Sequence, residues 1–117
     1  MQKLASLIGF DTIVAVVDDF FRAALQHPML APWLSRASDL QPYRQRLIAF
    51  WYAALDGESY RLPRPASQLP ALIDDIDRRQ WRSIETLLHH AIDRHVPGHL
   101  AQHWHRRVDQ LGETVAV

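Results

Sequence analysis

Six of the seven histidines of this chain fall in "HHAIDRHVPGHLAQHWH", from His89 to His105. Imidazole is the side chain that both ligates transition metals and changes charge near neutrality. His99 and His103 stand four apart on one helical stretch, a spacing that can bring two imidazoles to one ion, with His95 near in sequence. The resemblance to a metal motif stops there. There is no His-Glu-x-x-His, Pro97-Gly98 interrupts the register between His95 and His99, and no third ligand is identified. The reading is a solvated His-rich face with no metal assigned, which gains positive charge as pH falls through about 6.5.

Other chemistries find less. No Ser-His-Asp spacing, paired carboxylate motif or Gly-rich phosphate loop is present, so no catalytic constellation is read and no enzyme is expected. Asp74, Asp75 and Asp77 lie beside Arg78 and Arg79 as helix-start charge complementing the dipole. Cysteine is absent, which removes disulfides, thiol catalysis and Cys-based metal sites and agrees with a reducing cytoplasm. The 13 basic and 13 acidic residues cancel, so neither nucleic acid nor a membrane surface is an expected partner. The start, "MQKLASLIGFD", is too weak for a signal peptide, and cytoplasmic location is the expectation.

Elements must position whatever chemistry exists. With 117 residues, 48% of them hydrophobic, the chain suits one domain over 1–117. From Asp11, a plausible cap, Ile13, Val16, Val17, Phe20, Phe21 and Ala24 recur at helical spacing until Pro28. "PMLAPWLSRASD" reads as a turn-rich crossing that holds at most one turn of helix, with cap-like Ser38 and Asp39. A second helix has Leu40, Tyr43, Leu47, Phe50, Trp51 and Ala54 on one face, tolerates Pro42 in its first turn and stops at Gly57. A third, capped by Asp77, carries Trp81, Ile84, Leu88, Ala91 and Ile92 and ends at Pro97-Gly98. The last repeats the pattern with Leu100, Trp104, Val108 and Leu111. Between the second and third helices lies "YRLPRPASQLPAL", Tyr60 to Leu72, with three prolines and no helical period. An irregular segment of that length inside a helical domain is usually a working part or a disordered connection.

The order "VVDDFFRAALQHPMLAPWL", "RLIAFWYAAL", "DGESY", the proline-rich loop and "RRQWRSIETLL" resembles a truncated haemoglobin of the third group over about residues 10 to 112. The resemblance implies an all-α, shortened globin-like fold, a two-over-two helical sandwich that encloses haem and binds oxygen, nitric oxide or similar small ligands. Its pocket positions here are Phe21, Tyr43, Arg44, Leu47, Phe50, Gln68, Leu69, Trp81 and Ile84. The same apolar residues are also what any helical core needs.

Haem iron in globins takes a proximal imidazole. In relatives that His sits in a His-Leu or His-x-Leu setting within the loop, whereas this chain has Gln68-Leu69, and no His occurs between His27 and His89. On the distal side Phe21 replaces the usual Tyr, and the position of a frequent His falls close to Arg44, beside Tyr43. Arg44 suits bidentate recognition of a carboxylate or propionate, or else belongs to a solvated face. Gln68 is read as a pocket residue or as an ordinary loop amide. The expectation is therefore a haem-free or degenerate globin acting as a small-ligand sensing or interaction module. The alternatives are a haem protein with atypical ligation and an unrelated helical homodimer joined through an exposed Trp-rich face.

Overall fold

Gly9 decides where the first long helix begins. Its φ of 95° lies in the left-handed region that glycine enters without a Cβ clash, and it separates a short helix α1 (Leu4–Ile8) from α2 (Phe10–Leu25). The computed structural model describes residues 4–36, 39–55 and 77–115. The proline-rich stretch with Gln68 and Leu69, the stop expected at Gly57 and the cap expected at Ser38 lie outside the described residues. Asp11, expected as the cap of the first helix, sits instead inside its first turn, where its charge still complements the dipole. Sequence periodicity passes over α1 because a helix of five residues is marginal alone. Burial of Ala5 and Ile8 against α2 and α4 supplies what local propensity does not.

The single turn of helix expected in the turn-rich crossing is present as α3 (Ala31–Leu34), with Pro32 in its first turn and Trp33 and Leu34 buried. α4 (Gln41–Leu55) follows, its start marked by the Gln41 N–H donating to Asp39 Oδ1 at 3.0 Å. Its inward side differs from the expected face. Ile48 and Leu55 join Phe50, Trp51 and Ala54 in the core, while Leu40, Tyr43 and Leu47 are half-buried. The cause is that α4 packs against α1, α2 and the last helix together, so it buries a broad arc and not one stripe.

α5 (Arg78–His95) starts on a complete capping box. The Gln80 N–H donates to Asp77 Oδ1 at 2.8 Å, and the Asp77 N–H donates to Gln80 Oε1 at 3.0 Å. Asp77→Ala removes the acceptor of the Gln80 N–H, leaves the backbone N–H of that position its bond to Gln80 Oε1, and is expected to lower the unfolding free energy by about 1 kcal/mol, read as a drop in urea midpoint at unchanged slope. Val96 leaves the helix in an extended conformation, and Pro97 starts α6 (Gly98–Val115) directly. So short a connection makes α5 and α6 an antiparallel hairpin. The contacts agree: His89 meets Asp109 low on the hairpin, and Asp93 meets His105 nearer the turn.

Among the described residues the fold is all-α. α2 packs on α4 and on α5, and α5 packs on α6. Phe50, Trp81, Ile84, Leu88, Trp104, Val108 and Leu111 share one core with the apolar face of α2. Trp51 and Trp104 lie with ring centroids 5.8 Å apart at the centre. All four tryptophans are at most 7% exposed, so the exposed Trp-rich face suggested for a dimer is not there. Among the described residues the exposed large apolar side chains are Leu7, Phe10, Leu25 and Met29. No helix among the described residues is long and apolar enough to cross a membrane.

Candidate functional site

The positions assigned to a haem pocket separate into two groups. Phe50, Trp81 and Ile84 are core residues, 4–6% exposed. Packed in the shared core of the described residues, they present little area to a macrocycle, whereas a pocket-lining side chain has to present area to its ligand. Phe21, Tyr43 and Leu47 are half-buried, with Phe21 set edge-on to Phe20 at 5.4 Å. Gln68 and Leu69 lie outside the described residues.

Arg44 has a partner other than a ligand. Its Nε and Nη2 donate to the two oxygens of Asp18 at 2.5 and 3.1 Å, a bidentate clamp between α4 and α2 that commits the guanidinium fork. The bland and the functional readings of this residue both give way to a helix-to-helix tie. Asp19, next in sequence, does the same toward α5: Arg94 donates to it at 2.8 and 3.0 Å, and His95 Nε2 lies 3.0 Å from its Oδ2.

These residues fit His-ligated haem poorly. The interior positions are filled, the proposed anion-binding arginine is paired, and residues 28–88 hold no imidazole.

Asp18 and Asp19 carry a pH consequence. The hydrogen bond from Arg44 holds the Asp18 carboxyl below its ordinary 3.8, outweighing desolvation. The Asp19 carboxyl is held below the same value chiefly by the Arg94 hydrogen bond, with His95 assisting. A carboxylate depressed in the folded state contributes stability that is present above its unfolded value and is lost as pH falls through the folded one. Unfolding midpoints measured by urea are therefore expected to fall below about pH 4, and the double variant Asp18→Asn, Asp19→Asn is expected to flatten that fall.

Beside the Asp18–Arg44 tie, α2 and α4 leave an open groove of about 480 Å³. Val14, Ile48 and Ala49 line it as apolar wall, Phe10 extends it, and Asp11, Gln45 and Arg44 form a polar rim. The Phe10 ring, half exposed, meets Tyr52 edge-on at 5.9 Å. The lining contains no nucleophile with an adjacent base.

The histidines behave unlike their sequence grouping. His99 and His103 are exposed and His95 is taken by Asp19. The pair that the fold draws together is His89 and His105, whose Nδ1 atoms approach to 2.5 Å across the α5–α6 seam. Their signal was present in the sequence as Glu85-x-x-x-His89 and His105-x-x-x-Asp109, two i, i+4 pairs on consecutive helices. It becomes visible only once the hairpin sets one pair against the other.

No protein-family model, no curated protein and no solved structure matches this chain.

Proposed function

We propose that this chain is a globin-like helical domain without His-ligated haem that binds a small apolar ligand, as a sensing module does. The observation that carries the reading is the α2–α4 groove of about 480 Å³ beside a filled core. Its volume is in the range of small-molecule sites, and an apolar wall with a few polar groups at the rim is the usual composition of one. Support for the globin-like arrangement comes from the resemblance in sequence order and from the packing of α2 and α4 as one pair and α5 and α6 as another, joined through α2 and α5.

The test has two arms. Expression with supplied haem is expected to yield protein without a strong Soret band; a stoichiometric, tightly retained band would overturn the haem-free reading and restore an atypically ligated haem protein. Binding of an apolar fluorescent dye to the full chain is expected to be lost in Ala49→Arg, an exposed position on the groove wall whose substitution leaves the core intact. Dye binding unchanged in that variant would remove the groove as the ligand site.

A further inference from the structure

Two helical pairs oppose each other across the α5–α6 seam. Glu85 and His89 lie one turn apart on α5, and His105 and Asp109 one turn apart on α6. Glu85, His89 and Asp109 each offer one donor atom, all within 4.8 Å of one another, and His89 Nε2 is 3.3 Å from Asp109 Oδ1. Bonds of about 2.0–2.1 Å to a tetrahedral ion hold neighbouring donors about 3.3 Å apart. The His–Asp edge already has that separation, and Glu85 has to swing in by roughly 1.5 Å at most.

The hydrogen bonds behind these groups decide which nitrogen is offered. His105 Nε2 donates to Asp93 Oδ1 at 2.7 Å. In a neutral ring this leaves His105 Nδ1 as an acceptor, and His89 Nδ1 donates to it. His89 Nε2 is then a lone pair turned toward the Asp109 carboxylate, with Glu85 beside it. Two acceptors at that distance repel, so the network closes only around an added cation, either a third proton on the two rings or a metal ion. Asp93, Glu85 and Asp109 bring three negative charges; the extra proton offsets one of them and a divalent ion two. The run Asp93, His105, His89 also has the form of the outer-shell relay that orients a ligating imidazole and raises its basicity.

A second observation comes from the floor of the seam. A Cβ at Gly112 would stand 2.6 Å from Trp81 Nε1 and 2.9 Å from Glu85 Oε2. The missing side chain is what lets the indole edge and the carboxylate share the same space over α6. Trp81 is 4% exposed and its N–H has no partner among the described residues. It is a buried, unpartnered donor on the same patch of α6 that the Glu85 carboxylate overhangs.

We infer that Glu85, His89 and Asp109 form a three-ligand site for a first-row divalent ion of the Zn²⁺ class, with His105 and Asp93 as positioning residues. Imidazole with carboxylates and no thiolate favours such an ion over soft Cu⁺ and over the all-oxygen Mg²⁺ and Ca²⁺. Three protein ligands leave one coordination position, as in open zinc sites, and it faces solvent beside Asp109, whose side chain is 65% exposed. The site is independent of the α2–α4 groove.

Titration of the full chain with Zn²⁺ against a chromophoric chelator is expected to show one tight equivalent, and Co²⁺ in its place the visible absorption of a four-coordinate ion. His89→Gln and Asp109→Asn should weaken binding at least about 100-fold. Asp93→Asn, which does not touch the ion, should weaken it about 10–100-fold. The double variant His99→Gln, His103→Gln should leave it unchanged. Glu85→Gln guards against misfolding as the cause, because Glu85 makes no hydrogen bond or ion pair among the described residues that could be lost; it should keep the helical circular dichroism and lose the tight equivalent. The proposal is overturned if the folded chain takes up no tight equivalent, or if the equivalent survives His89→Gln and disappears with the exposed histidines.

Discussion

Trp104→Ala is expected to remove about 3 kcal/mol of unfolding free energy, the lower end of the range for truncating a buried aromatic residue. Trp104 is fully buried on α6 and stacks obliquely on Trp51 at 5.8 Å, so its removal opens a cavity at the centre of the core that no neighbour can fill. The loss stays at the low end because the indole N–H has no partner among the described residues, and a buried donor left unmade costs about 1–3 kcal/mol on its own. That reasoning makes Trp104→Phe the informative companion. It keeps most of the ring, deletes the orphan donor, and should cost less than about 1.5 kcal/mol. Urea unfolding of both variants measures the difference. Equal losses for Phe and Ala would mean that the N–H has a partner and that the packing argument is misplaced.

Gly112→Ala should also destabilise, by about 1–3 kcal/mol, and here the sign is the test. In most helix interiors alanine is worth about 0.5–1 kcal/mol more than glycine. At Gly112 the added Cβ would meet Trp81 Nε1 at 2.6 Å and Trp81 Cε2 at 3.3 Å. Glu85, the other neighbour, can turn aside into solvent. Trp81 cannot, because its ring is buried between α5 and the rest of the core. Gly98, at the start of the same helix, has nothing within 4 Å of such a Cβ, so Gly98→Ala supplies the control without the clash. A gain in melting temperature for Gly112→Ala would show that α5 and α6 sit farther apart than described.

The haem question divides along the same line between local and tertiary information. The lack of an imidazole from residue 28 to residue 88 is a property of the sequence, and no packing can supply one. In the sequence Phe50, Trp81 and Ile84 were core residues by default and pocket residues only by resemblance, because an apolar residue on a helix face is compatible with contact to another helix or to a ligand. Their burial favours the core. Arg44, read mainly as part of a solvated face and otherwise as a recognition residue, is set against Asp18 by the rotation of α4 about its axis.

What the sequence determined by itself is whatever one helix contains. The 3.6-residue period, the cap at Asp77, the helical turn in the proline-containing crossing and the stop at Pro97 are each written within a few consecutive residues, and each is where the local pattern places it. The tertiary structure alone decided the broad buried arc of α4, the pairing of Arg44 with Asp18, and the meeting of Glu85, His89, His105 and Asp109. Those depend on the rotation and register of one helix against another. Such quantities are set by the fit of many side chains at once, so neither helix records them in its own residues.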